Sequence, residues 1–244
     1  MKTFGNTVLI TGGATGIGLA LARALVTEGN TVAICGRRWR ALRAAKRSIP
    51  QLHLKVCDVS VSSARRSLLQ WLEQRFPSLN IVVNNAGIQR PINFLKGPRD
   101  LPQAEEELRT NLASPIHLTA LLLPRLLKRR QAAIVNISSG LAYTPLAAVP
   151  VYCATKAAIH SLTLSLRHQL RGTGVRVFEV APPIVATELA GARRRAGEND
   201  YTMTAEAVAE GIVTALANDT YEVALGAAAN LREQRDRLFE AIND

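Results

Sequence analysis

Short β-branched or apolar runs alternate with longer amphipathic stretches along the chain, and this alternation most narrows the folds open to it. The runs are Thr7 to Thr11, Thr31 to Cys35, Leu52 to Val56, Ile81 to Asn84, Ala133 to Ile137, Val175 to Val180 and Glu222 to Leu225. Between them apolar residues recur at spacings of three and four, as in Leu19, Ala22, Leu25 and Val26, or Ile159, Leu162, Leu166 and Leu170. That is the period of a helix with one buried face. Strands joined by crossover helices run parallel, and a parallel sheet is covered on both faces. The pattern predicts an α/β fold: a doubly wound, seven-stranded parallel sheet flanked by helices, with ligands at the carboxyl ends of the strands. Prolines mostly mark loops, among them Pro91, Pro98, Pro102, Pro145, Pro150 and Pro182-Pro183, whereas Pro115 and Pro124 fall in a helical stretch that they should bend or divide. No long linker, repeat or low-complexity tract interrupts the pattern, so residues 1–244 read as one domain.

Thr11-Gly12-Gly13-Ala14-Thr15-Gly16-Ile17-Gly18 stands between the first strand and the first helix. At Gly12, Gly16 and Gly18 a tight turn, close approach of the backbone to a pyrophosphate and close helix packing each disfavour a β-carbon. The helix that begins among Thr15, Gly16, Ile17 and Gly18 offers free N–H groups and a partial positive charge to the phosphates. One extra residue between the first two glycines separates this turn from the G-x-G-x-x-G fingerprint and points to a distinct subgroup of Rossmann-type proteins. The second strand runs out into Gly36-Arg37-Arg38, where a carboxylate would serve the ribose 2′-hydroxyl of NAD. Two guanidinium groups suit a 2′-phosphate instead, so NADP(H) is favoured over NAD(H). The alternative is that Arg37 and Arg38 are an exposed start to a basic helix; Arg37 is the better candidate because it lies closer to the strand. Asp58 and Val59 follow the third strand, where Asp58 either accepts a hydrogen bond from the adenine amino group or caps the next helix. Asn84-Asn85-Ala86-Gly87 closes the fourth strand, either as small residues admitting a sugar or simply as a turn.

Tyr152 and Lys156 lie four residues apart, on one face of a helix. A free tyrosine titrates near ~10, so it works as an acid and base near neutrality only where a neighbouring cation favours the phenolate, and Lys156 is placed to be that cation.

In order and spacing, Thr11-Gly12-x-x-x-Gly16-x-Gly18, Asn84-Asn85-Ala86-Gly87, Asn111, Ser139, Tyr152 and Lys156 resemble the short-chain dehydrogenase/reductase family over nearly the whole chain. Ile88-Gln89-Arg90-Pro91 and Tyr152-Cys153-Ala154-Thr155-Lys156 are similar in phrasing to bacterial oxidoreductases named for teichoic acid D-alanylation. The resemblance implies that Tyr152 is the catalytic acid/base and that Ser139, rather than the adjacent Ser138, hydrogen-bonds the substrate oxygen. It also implies that Lys156 holds the nicotinamide ribose and that Asn111 positions a water relay. Where the family commonly has Pro-Gly, this chain has Pro182-Pro183, with the Val185 amide and the Thr187 hydroxyl as partners for the nicotinamide carboxamide. Glu188 to Tyr201, polar and arginine-rich, takes the place of a mobile loop over the substrate, and Asn230 to Ile242 has a charged helical pattern rather than the family's frequent strand-and-glycine ending. A homodimer or homotetramer follows by resemblance, through helices near Ala104 to Arg130 and Tyr152 to Arg171.

A net charge of +11 would suit a polyanion, but the basic runs fall in separate elements: Arg37 to Arg47, Lys128-Arg129-Arg130 and Arg193-Arg194-Arg195. With only five Phe, four Tyr and two Trp for base stacking, nucleic acid is not the expected partner. Cys35, Cys57 and Cys153 lack metal-ligand spacing and fit reduced, buried thiols. The N-terminus has no signal-peptide apolar region and no run of about 20 apolar residues occurs, so no membrane insertion and a cytoplasmic location are expected. The leading expectation is an NADP(H)-dependent oxidoreductase acting on a small carbonyl or alcohol. The alternatives are a catalytically silent NADP(H)-sensing protein that acts through partners, and a protein docking on anionic polymer through its arginines.

Overall fold

Along the first strand Val8, Leu9 and Ile10 are all inaccessible to water, as a strand covered on both faces requires. The computed structural model describes residues 1–189 and 201–243. Its elements run β1 (Thr7–Thr11), α1 (Gly16–Thr27), β2 (Thr31–Gly36), α2 (Trp39–Ser48), β3 (His53–Val56), α3 (Ser62–Arg75), β4 (Ile81–Asn84), α4 (Leu101–Glu107), α5 (Ser114–Leu126), β5 (Ala132–Ile137), α6 (Pro150–Gln169), β6 (Val175–Ala181), β7 (Ile184–Val185), β8 (Thr202–Met203), α7 (Ala205–Ala217), β9 (Glu222–Ala224), α8 (Ala228–Gln234) and α9 (Phe239–Asn243). Among the described residues, the main sheet has seven strands, all parallel, in the order β3-β2-β1-β4-β5-β6-β9. Winding goes outward from β1 through β2 to β3 and then reverses into β4, which opens a crevice above the carboxyl ends of β1 and β4.

Residue alternation divides the core into two layers. Val8, Ile10, Val32, Ile34, Val83, Val135, Phe178 and Val180 pack with α1, α2 and α7 on one face. Leu9, Ala33, Val82, Ile134 and Val177 pack with α3, α5 and α6 on the other. Each of the seven expected strands is present, with ends displaced by at most one residue. The small parallel pair β7–β8 was not expected, because two residues per strand carry no readable period. The buried face of α1 also differs from expectation: Gly18, Ala20, Leu21, Ala22 and Leu25 are buried, while Leu19 and Val26 are partly exposed. The reason is that α1 packs on α7 as well as on the sheet, which broadens the covered face.

Pro115 stands in the first turn of α5, just after a π-helical stretch at Leu108–Ala113, and so helps divide the helical region; Pro124 lies inside α5 without ending it. The charged C-terminal pattern is helical but breaks at Arg235, whose φ is +51°. Of the expected loop from Glu188 to Tyr201, residues 190–200 lie outside the described residues, Arg193 to Arg195 among them. Cys35, Cys57 and Cys153 are free and buried. Among the described residues, no helix is long and apolar enough to cross a membrane.

Candidate active site

The Thr11 side chain closes the crevice floor. Its hydroxyl donates to the Val83 carbonyl at 3.2 Å and accepts from the Asn85 and Ala86 amides, each at 3.0 Å. Asn85 Nδ2 donates to the carbonyls of Thr11 at 2.9 Å and Gly12 at 3.3 Å. These bonds fasten the turn after β4 to the glycine turn after β1, and the fit is tight. A Cβ on Gly12 would lie 2.9 Å from Ala86 Cα, and one on Gly18 would lie 2.5 Å from both the Gly12 carbonyl oxygen and Asn85 Nδ2. Gly16, with φ +54°, faces Thr187, whose Cγ2 would come within 2.9 Å of a Cβ there. Thr15 is the N-cap of α1 but makes no side-chain capping bond, and the first turn, with Ile17 and Gly18, contains no acidic residue. The positive end of that helix is therefore left for an anion.

Arg37 Nη1 lies 3.1 Å from Glu106 Oε1 and 3.9 Å from Asp58 Oδ2. Arg38 is the N-cap residue of the basic helix α2 and reaches Thr15 Oγ1 at 3.5 Å and Glu188 Oε2 at 3.8 Å. The phosphate and helix-start alternatives are thus compatible. Asp58 does not cap α3, whose N-cap is Val61. Its Oδ1 is taken by the Ser60 amide at 2.9 Å and hydroxyl at 2.7 Å, a local turn that corrects the capping alternative. Val59 is buried, and its carbonyl accepts from Arg65 at 2.6 Å.

On α6, Tyr152 and Lys156 are buried one turn apart. Lys156 Nζ sits 5.5 Å from the Tyr152 ring centroid and donates to the Ile137 carbonyl at 2.8 Å. Ser139, just past β5, favours the Tyr152 phenolate, and its Oγ accepts from the Leu141 amide at 3.1 Å, whereas Ser138 Oγ lies 3.5 Å from the Val180 carbonyl. Asn111 belongs to the π-helical stretch, a device that re-aims a side chain within a helix. Its Oδ1 accepts from the Ile88 amide at 2.9 Å, while Nδ2 donates to the Ile88 carbonyl at 2.8 Å and to Thr155 Oγ1 at 3.3 Å. Asn111 and Lys156 meet at Gly87, where a Cβ would lie 3.6 Å from Asn111 Oδ1 and 3.8 Å from Lys156 Nζ. Val185 lies in β7, its carbonyl accepting from the Thr187 amide at 2.8 Å. The turn before it forms with Pro182 accepting from the Gly140 amide at 2.9 Å and without a left-handed residue.

Burial pushes the Tyr152 pKa well up; the Ser139 hydrogen bond opposes this, and Cys153 and Glu107 reinforce it. The expected lowering by Lys156 does not emerge in this structure. Burial pulls Lys156 itself down to about 8, with Glu179 opposing, and its ammonium is engaged by the Ile137 carbonyl. Removal of both groups from water outweighs their mutual influence.

The sequence reading missed Glu107, Glu179 and His160. Glu107 is fully buried; its Oε1 accepts from the Arg90 amide at 2.6 Å, and Oε2 has no hydrogen-bond partner among the described residues. Burial raises its pKa from 4.5 to about 7, partly offset by Arg90. The folded protein therefore holds this proton more tightly than the unfolded chain, and stability falls as pH rises from 4.5 through 7. Glu107→Gln is expected to match wild type near pH ~4 and to exceed it by about 3 kcal/mol near pH ~8, as read by urea unfolding. Equal stability at the higher pH would show that the carboxylate is not held protonated.

A family model described as short chain dehydrogenase matches residues 6–198. The chain is 46% identical over 248 residues to the uncharacterized oxidoreductase DltE of Bacillus subtilis, covering 100% of this chain and 98% of that protein. It is 32% identical over 215 residues to the NADP-dependent 3-hydroxy acid dehydrogenase YdfG of Salmonella typhi, covering 84% and 86%. A solved structure, the closed form of serine dehydrogenase complexed with NADP+, superposes with a TM-score of 0.81 at 28% identity, covering 90% of this chain and 93% of that one.

Proposed function

The chain belongs to the short chain dehydrogenase family, and from that premise we propose an NADP(H)-dependent oxidoreductase that interconverts a carbonyl and an alcohol on a small molecule. The observation that carries this reading is that Asn111 and Lys156 come together at Gly87 while Tyr152 lies one turn from Lys156 on α6 and is influenced by Ser139 at the end of β5. The uncapped start of α1 and the absence of space for any Cβ at Gly12 and Gly18 fit a dinucleotide pyrophosphate.

Gly12, Thr15, Gly16, Ile17 and Gly18 would hold the pyrophosphate, Arg37 and Arg38 the 2′-phosphate, and Asp58 and Val59 the adenine. Asn85, Ala86 and Gly87 would border the ribose, and Val185 and Thr187 the carboxamide. When bound, the nicotinamide supplies hydride exchange with the substrate carbon. In carbonyl reduction negative charge grows on the substrate oxygen, to which Tyr152 gives its proton while Ser139 donates a second hydrogen bond. In the reverse direction Tyr152 takes the alcohol proton. Lys156 would hold the nicotinamide ribose, and Asn111, fixed by both polar groups of Ile88, would position the water that replaces the proton. Exposed Ile116 on α5 and Leu164 on α6 accord with self-association through these helices as a homodimer or homotetramer.

Purified protein supplied with NADPH and a panel of ketones and aldehydes is expected to oxidise the cofactor. Tight NADPH binding with no turnover across the panel would instead support a cofactor-sensing protein. Arg37→Ala is expected to weaken NADPH binding by about 10- to 100-fold, the worth of a charge-assisted hydrogen bond, while leaving NADH affinity near its wild-type value. Parallel fluorescence titrations check this, and equal losses for both cofactors would remove Arg37 from the 2′-phosphate.

A further inference from the structure

Sheet register sets Glu179 of β6 beside Glu222 of β9, and α6 brings His160 onto Glu179. The ligand atoms these residues offer, one imidazole nitrogen and two carboxylate oxygens, all lie within 4.8 Å of one another. An imidazole and two carboxylates form a donor set that zinc takes at about 2.0–2.2 Å. Glu179 is the unusual member. It is fully buried in the strand Val177-Phe178-Glu179-Val180-Ala181, its Oε2 lies 2.8 Å from His160 Nδ1, and its Oε1 has no hydrogen-bond partner among the described residues. A carboxylate out of reach of water is costly unless it is paired or binds a metal, and this oxygen has no protein partner to offset that cost.

The protein's own cations around the cluster are engaged elsewhere or on Glu222. Arg167 donates through Nε to the Val177 carbonyl at 3.1 Å and through Nη2 to the Tyr221 carbonyl at 2.8 Å, which leaves its Nη1 3.8 Å from Glu222 Oε2. Lys156, one turn before His160 on α6, donates to the Ile137 carbonyl at 2.8 Å. Arg232 makes the close ion pair, 2.8 Å from Glu222 Oε1, and its side chain is 43% exposed. A cation therefore already stands on the Glu222 side of the cluster, at the end of an arm with room to swing into solvent. Arg232 also borders a small surface cavity with Ala224 and Ala229, which gives an ion a way in. On another side the Tyr143 hydroxyl lies 3.4 Å from Glu222 Oε1, and the Tyr143 ring meets the His160 ring edge-on at 5.1 Å.

We propose that His160, Glu179 and Glu222 form a zinc site. The ion takes the place of the proton between His160 Nδ1 and Glu179 Oε2, which leaves to solvent, and displaces Arg232 from Glu222. Zinc bound there staples β6 and β9 to the middle of α6, the helix that carries Tyr152 and Lys156. The site takes no part in the proposed hydride transfer, and its test needs no substrate.

Tag-free protein stripped with a chelator and titrated with zinc chloride in a calorimeter is expected to bind one equivalent with a Kd below about 10 μM. His160→Gln keeps a donor for Glu179 but loses the ring nitrogen, and Glu179→Gln keeps the shape but loses the charge; each is expected to weaken binding by about tenfold or more. Arg232→Met removes the competing cation and keeps most of its stem, so it is expected to tighten binding by about threefold or more. No stoichiometric binding in the wild type overturns the proposal. So does an unchanged affinity in a folded His160→Gln or Glu179→Gln protein, or one no tighter than wild type in Arg232→Met. Should the first two variants fail to fold, imidazole NMR of the wild type decides. The chain has four histidines, and His53, His117 and His168 are exposed, so a glutamine at each assigns its signal and leaves that of His160 by elimination. One equivalent of zinc is expected to move the His160 signal, and a shift confined to the exposed histidines overturns the site.

Discussion

Tyr152→Phe is expected to cut turnover by about 10³-fold while leaving NADPH affinity nearly unchanged, the loss typical of removing a positioned general acid. The substitution removes one oxygen and keeps the ring. The ring packs with Val149, Cys153, Leu141 and Leu146, so the fold should survive. Any large effect therefore reports on the hydroxyl. Steady-state rates over the carbonyl panel, NADPH titration and thermal unfolding separate the possibilities. Full activity in the variant would assign the tyrosine to packing alone.

Gly18→Ala is expected to destabilise the protein by about 3 kcal/mol and to abolish dinucleotide binding. Within a helix, glycine to alanine ordinarily stabilises by about 1 kcal/mol. The sign reverses here because the new methyl would lie 2.5 Å from the Gly12 carbonyl oxygen, a backbone atom that cannot swing aside, and 2.5 Å from Asn85 Nδ2, which ties β4 to β1. Relief of the clash must push α1 off the glycine turn, separating the helix N-terminus from the site it serves. Gly36→Ala is the control. Its nearest neighbour would be Leu42 Cδ2 at 4.0 Å and its φ is ordinary, so stability should stay within about 0.5 kcal/mol. Chemical denaturation of the two variants, with NADPH titration of each, checks the contrast; similar behaviour would mean that the turn has slack.

The fold was legible because its signals are local and periodic: β-branched runs, helical spacing, and a glycine turn between strand and helix. The pairing of Tyr152 with Lys156 was legible for the same reason, as a four-residue spacing puts both on one helix face, whereas Ser139 was named only by the family resemblance. Glu179 was not. Within Val177-Phe178-Glu179-Val180 it reads as one polar residue in an apolar strand, and its hydrogen-bond partner His160 comes from a helix that only tertiary packing brings beside it. Glu107 hides in the run Glu105-Glu106-Glu107, where composition suggests a solvated helix face and only packing shows that one of the three is buried. The direction of the Tyr152 shift was misjudged because sequence reveals a neighbouring cation but not the depth at which both groups sit.

The most direct test is a crystal structure of the protein with NADP+. The expected result places the nicotinamide ring in the cleft between Thr187 and the Tyr152–Lys156 face of α6, with the pyrophosphate over Gly16 to Gly18. A dinucleotide bound elsewhere, or a ring turned away from the Tyr152 hydroxyl, would contradict the assignment of this site.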